Sequence, residues 1–220
     1  MKLLTPLLLS LSLFAASTHA STVIISDDFN RTGPLAGSNP SGPSPGPWVS
    51  SDYTTGGGVA QATFAEELNG PSFITVALLP NTIYTLGASM QSSLGSLAFG
   101  FGGASGGSAV FVDLDQMGEA FINNPGSFGT SYSGPNTDNF QINLTTGASL
   151  SQPSNTEFFR NGVSLFTSSV SFPINRVFFY FTLNSIGTLD NFSLTAAAVP
   201  EPSSLLLLSM AGLGLMRRRR

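Results

Sequence analysis

The carboxylates of D-L-D-Q-M-G-E carry the clearest chemical signal in this chain: Asp113, Asp115 and Glu119 fall within one short segment. Two chemistries suit that spacing. Oxygen ligands two residues apart, followed by a glycine turn, form a fragment of a calcium loop, with Asn123 or Asn124 as helpers. Met117 stands where a further ligand belongs and Asn124 where a bidentate Glu is needed, so the segment is not an EF-hand. Ca2+ is therefore the candidate cofactor at Asp113, Asp115 and Glu119. The second chemistry is glycan hydrolysis. Asp113 and Asp115 lie on the same face of an extended strand, about 7 Å apart along it, and a retaining glycosidase needs two carboxyl groups at close range. The adjacent pairs Asp27-Asp28 and Glu66-Glu67 point to opposite faces when extended, so neither is a natural dyad.

Composition removes most other chemistries. There is no cysteine, the one histidine is His19, and the one lysine is Lys2. Beyond residue 20 the chain cannot build a Ser-His-Asp triad, a Cys-His pair, a histidine-ligated zinc site or a Schiff base. Residues 21–200 hold Arg31, Arg160 and Arg176 against eleven carboxylates, a net charge near −8. Such a charge argues against nucleic acid and against an anionic membrane surface as partners.

A third chemistry is polysaccharide binding without catalysis. It needs aromatic rings to stack on sugar faces and polar side chains to hold hydroxyls. Tyr53, Tyr132, Asn136, Asp138 and Asn139 sit in stretches that read as polar loops and supply both. Trp48, the single tryptophan, reads as a core residue. The glycines from Gly100 to Gly107 do not form a phosphate loop, because no lysine follows and no helix is signalled downstream.

The elements that must position these residues are strands. Gly and Pro punctuate the chain, and short runs of Val, Ile, Phe, Thr and Leu lie between them. Many short strands at even spacing predict an all-β fold, a two-sheet sandwich at this length. Strands are predicted at Ser21–Ser26, Val59–Phe64, Phe73–Leu79, Ala109–Leu114 and Leu189–Thr195, with Ala196 to Val199 as a linker. Leu97, Phe99 and Phe101 alternate with Ala98 and Gly100, so all three face the core. Phe140, Ile142 and Leu144 mark a half-buried strand. Asn161-Gly162 between two apolar runs predicts a type I′ hairpin. V-F-F-Y-F, from Val177 to Phe181, predicts a strand covered on both faces.

An opening Asp28-Phe29 strand, a Trp after a Gly-rich loop, the Asn-Gly hairpin and a closing G-x-L-D-N-F-S-L (Gly187 to Leu194) together resemble concanavalin A-like, LamG-type jelly rolls. The resemblance implies a jelly-roll sandwich whose first and last strands are neighbours, which places Asp27/Asp28 beside Asp190/Asn191. Some jelly-roll glycosidases carry E-x-D-x-x-E on one strand. Here the corresponding pattern is D-x-D-x-x-x-E, with the wrong first residue and final spacing, which favours a non-enzymatic protein.

The two ends read as addresses. Met1 and Lys2 precede a leucine-rich run to Ala16, and Thr18-His19-Ala20 offers small residues for signal-peptidase cleavage after Ala20. Residues 1–20 are thus predicted to be a signal peptide handled by the general secretion machinery. At the other end, Pro200-Glu201-Pro202 precedes the uncharged stretch 203–216, which precedes Arg217, Arg218, Arg219 and Arg220. As a helix that stretch spans about 21 Å, short of a hydrocarbon core of about 30 Å. It suits transient insertion, with the arginines held on the cytoplasmic side. This tail resembles the PEP-CTERM sorting signal of Gram-negative bacteria. The resemblance implies a partner, an exosortase-like membrane protease that acts at Pro200-Glu201-Pro202, and delivery to the cell surface or exopolysaccharide matrix. The predicted organisation is signal peptide 1–20, sandwich domain 21–196 and sorting signal 197–220. The expected role is structural or carbohydrate-binding in a biofilm matrix, with a glycan hydrolase or an inert spacer as alternatives.

Overall fold

Strand alternation governs every element of the computed structural model, which describes residues 20–43, 46–49, 53–62, 71–103, 108–123, 131–135, 137–182 and 185–199. In chain order the strands are β1 (Thr22–Asp27), β2 (Gly33–Pro34), β3 (Tyr53–Gly56), β4 (Val59–Ala62), β5 (Ser72–Thr75), β6 (Thr82–Leu94), β7 (Ser96–Gly102) and β8 (Ala109–Asp115). They continue as β9 (Glu119–Asn123), β10 (Ser131–Ser133), β11 (Thr137–Thr145), β12 (Ser154–Arg160), β13 (Val163–Val170), β14 (Arg176–Phe181) and β15 (Ile186–Ala198). Ser21–Val199 is one compact unit. The predicted signal peptide, apart from Ala20, and the predicted C-terminal helix lie outside the described residues.

All pairings are antiparallel, and two sheets form a jelly-roll sandwich. The larger, nine-stranded sheet has the order β13-β12-β11-β6-β15-β4-β3-β2, with β1 also paired to β15. The smaller, six-stranded sheet has the order β10-β9-β8-β7-β14-β5. Among the described residues there is no helix, and so none long and apolar enough to cross a membrane. The first and last strands are neighbours: Thr22 pairs with Ala196 and Asp27 with Phe192, one residue from Asn191.

The core fills the space between the sheets. Leu97, Phe99 and Phe101 from β7, Val110, Val112 and Leu114 from β8, and Phe140, Ile142 and Leu144 from β11 all point into it. Trp48 sits at its centre, only 1% exposed, with its ring edge-on to Phe179 and Phe192 at 5.2 Å each. Edge-on aromatic pairs add about 0.5–1.5 kcal/mol beyond the area they bury. Asp27 anchors this cluster. Its Oδ1 accepts from Phe29 N and Arg31 Nη1, and its Oδ2 from Arg31 Nη2 and Trp48 Nε1, all within 2.7–2.8 Å.

Several boundaries differ from the sequence reading. Only Ser72–Thr75 of the apolar run 73–79 pairs as a strand, because Val76 N turns away to Asn175 O at 2.8 Å. Val76 and Leu78 nevertheless remain buried, which explains why the run is apolar. The closing strand is longer than predicted. Ala196 to Ala198 are not a linker but pair with Tyr84, Ile83 and Thr82 of β6. Asp138 and Asn139 are not loop residues but lie within β11, paired with Met90 and Ser89 of β6. The Asn161-Gly162 hairpin forms as predicted, with φ of 49° and 77°, the positive values a type I′ turn requires.

Candidate functional site

The outer face of the smaller sheet is where side-chain chemistry gathers. Its position follows from β14. Val177, Phe179 and Phe181 point into the core, so Arg176, Phe178 and Tyr180 point outward. On the neighbouring β7 the outward residues are Ala98, Gly100 and Gly102, too small to fill the space above them. On β8, one strand further, Phe111 and Asp113 point outward. Phe178 and Tyr180 stack nearly parallel, with centroids 6.1 Å apart and planes 16° apart. Phe111 stands edge-on to both, at 6.1 Å and 5.9 Å. The rings close over the glycine floor, and Phe178 is only 6% exposed. The V-F-F-Y-F strand is therefore covered on both faces, and among the described residues its outer cover is this aromatic cluster.

Beside the rings is a cavity of about 320 Å³ lined by Gly102, Gly103, Phe111, Arg176, Phe178 and Tyr180 among others. Arg176 stands at one end. Its Nε donates to Gly103 O at 2.6 Å, its Nη2 donates to the same oxygen, and its guanidinium lies 5.0 Å from the Phe73 ring centroid. Asp113 stands at the other end of the face, two strands from Tyr180, which pairs with Ala98, the partner of Asp113. Its Oδ1 is buried without a hydrogen-bond partner. Burial pushes the Asp113 carboxyl up to about 6, opposed by the Ser96 side chain and reinforced by the charge of Asp115. Burial also pushes the Tyr180 phenol up to about 12, with the charge of Asp113 adding to the rise.

The residues singled out from the sequence are distributed differently. Asp113 and Asp115 share one face of β8, as predicted, but Asp115 is occupied. Its Oδ1 accepts from Met117 N and Glu119 N, both at 2.8 Å, which closes the β8–β9 turn. Among the described residues no three His, Cys, Asp or Glu side chains converge as metal ligands, and Asn124, a proposed helper, lies outside them. Tyr53 is a β3 residue, 2% exposed, and its ring packs against Phe179 and Phe181 in the core. A ring held there cannot stack on a sugar. Tyr132 packs against the core and donates its hydroxyl to Leu165 O at 2.7 Å.

Asp138 is also structural. It is buried and paired with Arg160 Nε, and Asn161 Nδ2 donates to its other oxygen. Arg160 in turn donates to the carbonyls of Gly118, Tyr132 and Pro135, which ties β12 of the larger sheet to β10 and the β8–β9 turn of the smaller one. Asn139 is exposed, on the outer face of the larger sheet, where its Oδ1 accepts from Ser89 Oγ at 2.6 Å. Ala20 is exposed and precedes β1. Asn136 lies outside the described residues, as do Pro200, Glu201, Pro202 and Arg217 to Arg220.

Arg176, Phe178, Tyr180 and Phe111 were not among the predicted site residues. Five apolar residues in a row read as core whichever face they occupy. The available signal was on β7, where a strict alternation of large inward and very small outward residues marks a place where neighbouring side chains lean across a strand.

Residues 198–220 match the family described as the PEP-CTERM protein-sorting motif. That motif implies sorting of an exported chain by an exosortase in the membrane. No curated protein matches the chain in sequence. Among solved structures, a double mutant of alginate lyase Aly36B in complex with alginate trisaccharide has a TM-score of 0.52 and 15% identity, over 83% of this chain and 99% of that one. Another Aly36B structure gives a TM-score of 0.50 at 13% identity, over 81% and 97% of the two chains. A sialidase gives 0.50 at 10% identity over 67% of this chain, which spans 16% of the sialidase chain. At these identities the likeness shows the fold alone.

Proposed function

We propose that this protein is a non-enzymatic polysaccharide-binding component of the cell surface or extracellular matrix. It is exported by its signal peptide, held in the inner membrane by its tail and cut near Pro200-Glu201-Pro202. The smaller sheet then presents its outer face to matrix glycans. The half-buried rings of Phe111 and Tyr180, which line the cavity that ends at Arg176, carry this reading. Partly exposed aromatic rings suit the apolar faces of sugars.

The experiment has two parts. Intact mass spectrometry of protein from the host envelope and medium should give a species running from Ser21 to about Pro200. Protein from a host carrying Phe111→Ala and Tyr180→Ala should pass from the matrix fraction to the soluble medium. A species that retains Leu205 to Arg220, or a double variant that stays with the matrix, would reject the corresponding half of the proposal.

Glycan hydrolysis is the second reading, and the raised Asp113 carboxyl favours it, since a general acid must hold its proton near neutral pH. Asp115, the nearest candidate for the second carboxyl, is committed to its turn. Asp113→Asn should leave matrix attachment largely unchanged; loss of a glycan-cleaving activity in that variant would favour the hydrolase.

A further inference from the structure

The outer face of the smaller sheet carries an arginine, Arg176, that is paired differently from the other two. Of the three arginines between residues 21 and 200, two are neutralised. Arg31 pairs with Asp27 and Arg160 with Asp138. Arg176 has no carboxylate partner among the described residues, in a segment where carboxylates outnumber arginines eleven to three. Its Nε and Nη2 are satisfied by one carbonyl, that of Gly103, while Nη1 has no acceptor among the described residues. A half-buried guanidinium against an aromatic ring is ordinarily paired, because a desolvated charge is costly alone.

We infer that the glycan bound on this face is an acidic one, a uronic-acid polymer, whose carboxylate is received by Arg176 Nη1 at the end of the Phe111–Phe178–Tyr180 cavity. The inference rests on the polysaccharide-binding reading and narrows it to one chemical class. The geometry suits an oligomer. Tyr180 lies four residues along β14 from Arg176, about 13 Å of strand, so a short oligosaccharide reaches from the cation to the Tyr180 ring. Asp113 and Asp115 share this outer face but lie at or beyond the Tyr180 end, away from Arg176, and the carboxylates elsewhere oppose an acidic polymer only weakly, since charges are screened beyond about 8 Å at physiological ionic strength. Arg176 acts at contact, where a charge-assisted hydrogen bond is strong.

The test uses the full chain in detergent and three probes: a uronic-acid oligosaccharide, the same oligosaccharide with its carboxyl groups reduced to alcohols, and a sulfated neutral oligosaccharide. The uronic oligomer should bind at least about tenfold tighter than its reduced form. Arg176→Gln should erase that difference, while Arg176→Lys should retain part of it. Equal binding of the uronic and reduced forms would overturn the acidic assignment and leave the polysaccharide reading intact. A sulfated probe as tight as the uronic one would overturn the carboxylate assignment. Binding of none of the three would overturn both. The comparison of the first two probes needs only the unaltered protein, so it does not depend on how the variants fold.

Discussion

Trp48 Nε1 donates a 2.7 Å hydrogen bond to Asp27 Oδ2, and through it the central ring of the core is fixed to the first strand. The same carboxylate holds Arg31 with both oxygens and caps the turn at Phe29 N. Asp27→Ala leaves the indole and amide N–H groups unpaired in the interior, while Arg31, partly exposed, can rehydrate. The expected cost is about 3–5 kcal/mol, read as a lower denaturant midpoint at unchanged slope. A loss under 1 kcal/mol would mean that the ring is held by packing alone.

Arg160 should behave as an internal rivet. It joins Asp138 to the carbonyls of Gly118, Tyr132 and Pro135. Arg160→Met keeps the length and removes every donor, leaving Asp138 buried and charged. The expected loss is about 3–5 kcal/mol. Asp138→Asn in the same background should recover part of it, and a double-mutant cycle with no coupling between the two sites would contradict the geometry.

Gly100 is expected to tolerate no side chain. A Cβ built there would meet the Val110 carbonyl oxygen at 2.1 Å and Phe111 Cβ at 2.6 Å, and the first of these is backbone that cannot swing aside. Gly100→Ala should therefore cost about 1–3 kcal/mol and disturb the Phe111 ring. Chemical shifts of Phe111 unchanged from those of the parent would refute this.

Asp113 predicts a pH dependence with a definite sign. Its folded carboxyl is raised from 3.8 to about 6, so the fold favours the protonated form. Below the ordinary value the group is protonated in both states and costs nothing. Between about 4 and about 6 the folded protein keeps a proton that the unfolded chain releases, so stability falls as pH rises, by at most about 3 kcal/mol in all. Asp113→Asn should lack this slope. Parallel stability curves for the parent and the variant across that window would show that the buried oxygen is not the cause.

Much of the sandwich can be read directly from alternation. Leu97-Ala98-Phe99-Gly100-Phe101 has one large face and one small, and Asn161-Gly162 specifies its turn through backbone sterics alone. The site was less legible because aromatic residues carry no mark of which face they occupy. Tyr53 and Tyr180 are the same residue type, yet one ring lies in the core and the other on the outer face. What separates them is strand register, which is set by distant partners: β14 is placed by its pairing with β7 and β5. Asp138 was misplaced for a similar reason. Its polar neighbours look like a loop, but the pairing with β6 makes a strand of them, and Arg160, far away in sequence, makes its burial affordable.

The pairing of Thr22 with Ala196 has a mechanical meaning. The chain enters the sandwich on β1 and leaves it on β15 at the same end of one antiparallel pair. Tension applied between the two ends opens that pair one hydrogen bond at a time and loads little else. Tension between the C-terminal end and a polymer gripped on the smaller sheet takes another route. It runs along β15, which is bonded to β6 on one side and to β1 and β4 on the other, and must shear a central strand. Under the proposed polysaccharide binding, the molecule would yield easily when pulled by its own ends and resist when pulled between its C-terminal end and a bound polymer.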